Sequence, residues 1–308
     1  MTSQKITCSD IRKLTVAYTK PETTPITCLD FHFNGDLLVE TCAKELRVFA
    51  LREHKVEEHQ VNVKKYGAGV TKFYDSEHVI HSSIQDNSLR ALNFGTPKYI
   101  HYYSGHTDEV TSMAVASRFF FTSSKDKSVR KWSPTNYSRE VASMKFPSPP
   151  LVTIFGETII AVAHSSSIIE IYNVSNLKYH IHRFQYEKKA EWTGIEFSPD
   201  GKMLMLTTDS NYIFIVSSSK KQELGELTGF KNPDNIHIDA VFSCDSKFVF
   251  GGSSDGRLHV WDLNTWTPLC QKKSGYEGTC ERVACNPAFF NVATTSNLSN
   301  LHLWIERD

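Results

Sequence analysis

Long apolar runs are missing from this chain of 308 residues. None approaches the length a membrane-spanning helix needs, and the opening MTSQKITCSD has no apolar signal-peptide core, so the expectation is a soluble protein with no membrane partner that is not secreted. No segment of useful length repeats its apolar residues at the helical period, which disfavours a helical or α/β architecture. Net charge is also missing. Lys+Arg 34 stand against Asp+Glu 34, which disfavours a general polyanion binder and direct sequence-specific nucleic-acid recognition while leaving room for a local basic patch. The seven cysteines, at 8, 28, 42, 244, 270, 280 and 285, contain no CxxC pair. Cys280 and Cys285 fall on what reads as one strand, at a spacing that suits neither a disulfide nor a zinc site, so reduced, mostly buried thiols of a cytosolic or nuclear protein are expected. No glycine-rich loop follows a strand and opens a helix, and no cofactor is expected.

What is present is periodicity. The stretch Gly105 to Trp132 opens on Gly105-His106, passes through two apolar runs, turns at Asp126 and closes on Trp132. This layout resembles one WD-repeat unit, a four-stranded blade of a β-propeller with a period of about 40 to 45 residues. The resemblance implies a buried hydrogen-bonded set made of His106, Ser124, Asp126 and Trp132, tolerable in a sheet only if every polar group finds a partner.

Alignment on the closing residue of the third strand gives Phe49, Leu92, Trp132, Tyr172, Val216, Trp261 and Trp304, with steps of 43, 40, 40, 44, 45 and 43. The chain is therefore read as one all-β domain, a seven-bladed WD-repeat β-propeller. Its blades run approximately 24–66, 67–105, 106–148, 149–189, 190–230, 231–276 and 277–308 plus 11–19. Asn34-Gly35-Asp36 and Ser198-Pro199-Asp200-Gly201 supply turns between first and second strands. Turn aspartates recur at Asp86 and Asp255 and are missing from the other units, so the count rests on the period, and six or eight blades are the competing counts. The seventh unit ends after its third strand. The spare strand Ile11 to Thr19 is expected to pair with it and to remove an aggregation-prone edge.

Two patterns invite a catalytic reading and neither sustains it. Ser124, His106 and Asp126 contain the residue types of a hydrolase triad, and Gly252-Ser253-Ser254-Asp255-Gly256 matches GxSxG. The latter needs a strand-to-helix elbow to expose its nucleophile, whereas here it falls between two strands at the position of a blade turn. His180 and His182 share a strand with no third or fourth metal ligand nearby. No catalytic, cofactor or metal site is assigned, and the protein is not expected to be an enzyme.

Four lysine pairs are more informative: Lys64-Lys65, Lys188-Lys189, Lys220-Lys221 and Lys272-Lys273. The first two precede the first strand of the next blade and belong on the entry-loop face, with Lys220-Lys221 opposite. They either attract a phosphorylated or acidic peptide or form a plain solvated rim, since glutamates interleave with them. Residues just before a first strand or a turn aspartate point to the same face: Gln85, Glu109, Lys125, Glu191, Trp192 and Ser254 are the candidate contacts, together with Lys64, Lys65, Tyr66, Lys188 and Lys189. Trp192 has a second reading as a packed entry residue.

The blocks Lys64-Lys65-Tyr66-Gly67, Tyr99 to His106, Glu191-Trp192-Thr193-Gly194 with Phe197 to Lys202, and Asn286-Pro287 with Phe289 and Trp304 look like one branch of the superfamily. They resemble the WD-repeat subunit shared by COMPASS, the SET-domain methyltransferase assembly acting on histone H3 lysine-4, and by a nuclear phosphatase and transcription-termination assembly. The resemblance implies a nuclear, non-catalytic adaptor. Its partners would be a SET-domain methyltransferase with other COMPASS-like subunits, a phosphatase regulator acting in mRNA 3′-end processing and termination, and the phosphorylated tail of RNA polymerase II. Phe230 follows Gly229 where the family has histidine, which leaves partner choice open. The competing reading is a generic propeller, such as a ubiquitin-ligase substrate receptor or a trafficking adaptor.

Overall fold

A computed structural model of the chain describes residues 5–21, 24–52, 55–134, 140–187, 189–273, 278–296 and 300–306. They form seven four-stranded antiparallel sheets, arranged as the blades of a propeller around a channel lined by the first strand of each.

From the channel outward, blade one is Ile26–Phe31, Leu37–Cys42, Glu45–Arg52 and Lys55–Asn62, and blade two is Thr71–Phe73, His78–Ser82, Leu89–Asn93 and Lys98–Tyr103. Blade three is Val110–Val115, Phe120–Ser124, Ser128–Trp132 and Ala142–Lys145, and blade four is Leu151–Phe155, Ile159–His164, Ile168–Asn173 and Asn176–Gln185. Blade five is Trp192–Phe197, Met203–Thr208, Tyr212–Ser217 and Glu223–Thr228, and blade six is Ala240–Phe242, Phe248–Gly251, Arg257–Asp262 and Thr267–Lys273. Blade seven joins Cys280–Cys285, Asn291–Ser296 and Asn300–Glu306 to the distant strand Leu14–Pro21.

Side-chain alternation explains why the second and third strands read as unbroken apolar runs. Phe120 and Trp132 pack with Ile80, Leu89 and Tyr103 of blade two, while the next residue, Phe121, packs with Val152, Ile160 and Tyr172 of blade four. Each blade therefore buries both faces, and burying Phe120 or Phe121 is worth about 2–3 kcal/mol. The core is divided among the interfaces between blades, including the one between blade seven and blade one, where Ala284, Ala293 and Leu301 meet Leu29, Leu38 and Phe49.

The ring closes from the N-terminal side, with one difference from the expected strand. Val16 pairs with Trp304 and Pro21 with Asn300, but the strand begins at Leu14 because Cys8–Lys13 is helical. A capping box explains the helix: Asp10 N–H donates to Thr7 Oγ1 at 3.3 Å and Thr7 N–H to Asp10 Oδ2 at 2.8 Å. The helix buries Ile11, and with Ile6 and Leu14 it seals the core between blades six and seven against Phe248, Phe250 and Trp304. No helix among the described residues is long and apolar enough to cross a membrane.

Candidate partner-binding face

The loops between blades and the turns between second and third strands emerge on one face, and blade three shows how they are held. Trp132 Nε1 donates to Thr122 Oγ1 at 2.8 Å, Thr122 Oγ1 lies 2.8 Å from His106 Nε2, and His106 Nδ1 lies 2.9 Å from Asp126 Oδ2. The direction of this chain follows from chemistry. An indole only donates and a carboxylate only accepts, so the threonine hydroxyl must donate to Nε2 and a neutral imidazole must donate from Nδ1. Burial holds the His106 pKa below its ordinary value against the pull of Asp126. Asp126 is raised by burial and lowered more by hydrogen bonds from Ser128, His106 and the Thr107 N–H, which leave it at about 2.

The hydroxyl in this chain was expected to be Ser124, and it is Thr122. Strand pairing explains the correction. Trp132 pairs with Phe120, so Thr122 is its diagonal neighbour on the same face, while Ser124 pairs with Ser128 at the turn. Ser124 Oγ donates to the Asp108 carbonyl at 2.9 Å and accepts the Asp126 N–H at 3.0 Å, which ties the turn to the entry loop. The triad residue types are thus spent on structure. Gly252 to Gly256 forms the turn between the second and third strands of blade six, with Gly256 N–H donating to the Ser253 carbonyl at 3.1 Å.

Other blades reach the same end with different residues. In blade two, Asp86 is gripped by Arg90 (Nη2 to Oδ2, 2.7 Å). In blade six, Phe230 sits where histidine was expected and packs edge-on against Trp261, with ring centroids 6.0 Å apart. His180 and His182 are separated by a bulge: His180 faces Tyr172, and His182 stacks on Phe184.

The candidate contacts fall into groups around the rim instead of one pocket. Lys64, Lys65, Tyr66 and Gln85 stand over blades one and two, with Lys64, Lys65 and Gln85 exposed and Tyr66 half-buried. Glu109 and Lys125 pair with each other at 2.5 Å on blade three and are both exposed. Lys189 pairs with Glu226 at 2.5 Å beside blades four and five. Lys188 and the 276/277 blade boundary lie outside the described residues. Glu191 accepts a hydrogen bond from Ser166 Oγ, which in turn accepts the Trp192 N–H at 3.0 Å. Trp192 is half-buried against the core between blades four and five and walls a cavity of about 450 Å³ with Ser148, Leu151 and Ser165. Ser254 is half-buried in the blade-six turn, with its hydroxyl oxygen buried.

Sequence reasoning missed the polar layer of the central channel, a cavity of about 1130 Å³. Lys72 Nζ lies 2.7 Å from Asp30 Oδ1, and Asp239 holds His237 at 2.7 Å and Arg282 at 3.6 Å. Burial lowers Lys72, and Asp30 together with Cys28 and Glu196 raises it, with a net upward shift. Glu196 is pushed up to about 8 by burial against the lesser pull of Lys72. The available signal was a charged residue inside each of several apolar first strands, such as Asp30, Lys72 and Glu196.

Comparison with known proteins agrees with this architecture. The repeat described as "WD domain, G-beta repeat" matches residues 97–133 and 222–262. WD repeat-containing protein 82 of Drosophila melanogaster is 30% identical over 310 residues, 98% of this chain and 97% of that protein. Set1 complex component swd2 of Schizosaccharomyces pombe is 28% identical over 258 residues, 77% of this chain and 71% of that protein. COMPASS component SWD2 of Saccharomyces cerevisiae is 24% identical over 302 residues, 92% of each chain.

Proposed function

The chain belongs to the family of WD repeat-containing protein 82, and from that premise we propose that it is a non-catalytic scaffold subunit of a Set1/COMPASS-type assembly, acting in the nucleus on histone H3 lysine-4 methylation. The observation that carries the reading is alignment along most of the chain with relatives named as components of the Set1 complex and of COMPASS. The structure suits the role. A ring whose blades bury both faces against neighbours presents its loops on a rigid base, so partner segments can be held with little reorganisation. His106, Ser124 and Asp126 are committed to buried structural hydrogen bonds, which supports a non-catalytic reading.

The proposal extends to a phosphatase-containing assembly of mRNA 3′-end processing and termination, and to the phosphorylated tail of RNA polymerase II. Its support there is the resemblance carried by Lys64 to Gly67 and Glu191 to Gly194. The candidate contacts are Lys64, Lys65, Tyr66, Gln85, Glu109, Lys125, Lys188, Lys189, Glu191, Trp192 and Ser254.

Affinity purification of the tagged chain with quantitative mass spectrometry tests the reading. A SET-domain methyltransferase and a phosphatase regulator should be recovered. Recovery of cullin or coat components in their place would support a ubiquitin-ligase or trafficking role.

A further inference from the structure

Two blocks distant in sequence, Lys64 to Gly67 and Tyr99 to Tyr102, meet around one buried side chain, Arg90. Its guanidinium lies 3.6 Å from the Tyr66 ring centroid and 5.3 Å from that of Tyr102. Asp86 holds it at 2.7 and 3.1 Å, and Ser88 adds a further hydrogen bond. Tyr66 packs edge-on against Tyr99, which tilts against Tyr102. Ile84 crosses directly over Gly67. A Cβ there would lie 2.2 Å from Ile84 Cγ1, and the backbone φ is +65°, so the crossing requires glycine.

The result is a fixed apolar ledge at the rim, with Ile84 54% and Tyr102 47% exposed. Apolar and aromatic side chains displayed on a rigid base are the usual anchors of protein association. Beside the ledge stand exposed Lys44, Lys64 and Lys65. Glu45, next to Lys44, is engaged by Arg47 at 2.6 Å and Gln60 at 2.9 Å.

We propose that this ledge docks an extended segment of a partner protein in which Asp or Glu side chains are interleaved with bulky apolar ones. The apolar side chains lie on Ile84, Tyr66 and Tyr102, and the carboxylates face Lys44, Lys64 and Lys65. The geometry favours carboxylates over phosphate. Arg90 is committed as a fork to Asp86, so it is closed to bidentate phosphate recognition, and the lysines are separate point charges on flexible stems. The loop offers no backbone nest either: the N–H of Lys64 is bonded to Asn62 Oδ1, and those of Tyr66 and Gly67 to the Val63 carbonyl.

This inference rests on the reading of the entry face as the partner-holding side. Its test uses the full chain and fluorescence anisotropy with a short labelled peptide in which Asp and Glu alternate with Phe and Leu. Saturable binding is expected, weakened about tenfold or more by the double substitution Lys64→Glu with Lys65→Glu, and weakened by added salt. Ile84→Asp should also weaken it, whereas Lys220→Glu on the opposite face should not. Because Ile84 packs on Gly67, the exposed lysine pair, checked for an unchanged melting temperature, is the decisive variant. Absence of binding, indifference to the lysine substitutions, or equal affinity for a phosphoserine peptide lacking the apolar residues would overturn the proposal. Failure of the peptide while the wild-type chain still recovers a SET-domain subunit condemns the ledge alone. Peptide binding without recovery of that subunit keeps the ledge and condemns the assembly reading.

Discussion

Trp132 donates its indole N–H to the hydroxyl of Thr122 at 2.8 Å, and the same relationship recurs in blade seven between Trp304 and Thr294, again at 2.8 Å. In each blade the pair lies diagonally across two adjacent strands. The buried donor of the tryptophan thus finds its partner from strand pairing alone, whether or not a histidine and an aspartate complete the chain.

Thr122→Val should therefore cost more than Ser124→Ala. The valine keeps the shape and strands both His106 Nε2 and Trp132 Nε1, a loss of about 2–3 kcal/mol, against about 1 kcal/mol for the turn hydroxyl. Urea unfolding midpoints measure the order. Equal losses, or a larger one at Ser124, would contradict the Thr122 relay.

Acid should destabilise the ring before the carboxylates that hydrogen bonds hold low, such as Asp126, are protonated. Burial holds His81 and His302 at about 4 and lowers His106, His164 and His259 as well, against an ordinary value of 6.5. The unfolded chain then binds more protons than the folded one between those values. The stability these groups contribute is complete above about pH 6.5 and is lost as pH falls toward about 4. Asp126, held at about 2, adds its own loss only below the ordinary carboxylate range. Glu196, pushed up to about 8 by burial, contributes with the opposite sign, because the folded chain holds its proton between about pH 8 and the ordinary carboxylate value. The five histidines outnumber it, so urea midpoints across this window should fall with pH, and a flat profile in a Glu196→Gln background would count against neutral buried imidazoles.

Removing residues 1–21 should uncover the outer edge of Asn300–Glu306 and the core patch under Ile11 and Leu14. An unpaired strand edge beside exposed apolar surface templates aggregation. Light scattering after size exclusion should show the truncated chain self-associating and the full chain monodisperse. A monomeric truncation of unchanged melting temperature would show that the strap is dispensable.

Gly35 joins the last blade to the first. Asn286 Nδ2 donates to its carbonyl at 2.7 Å, its φ is +81°, and a Cβ there would lie 2.3 Å from Asn286 Oδ1. Gly35→Ala should cost about 1–3 kcal/mol, through backbone strain and loss of this fit. Differential scanning calorimetry is the check, and an unchanged transition would contradict the closeness of the two loops.

Much of the ring was legible in the sequence because its period is set by strand pairing, and all seven aligned positions from Phe49 to Trp304 fall in third strands. The turn aspartates were legible for the same reason. What escaped were relationships across the third dimension. Thr122 and Ser124 share a strand face, and only the register with Trp132 decides which hydroxyl meets the indole. Arg90 reads as an ordinary strand residue until Tyr66 is laid across it. The helix at Cys8–Lys13 is too short for a periodic signal, although its capping box, Thr7 with Asp10, was readable.

The most direct measurement of the central claim is the level of histone H3 lysine-4 methylation across transcribed genes when the chain is depleted and then restored. The account predicts that methylation falls on depletion and returns with the wild-type chain, and also with a chain carrying Ser124→Ala, whose serine is structural. Methylation that is unchanged by depletion would contradict a scaffold role in a Set1/COMPASS-type assembly.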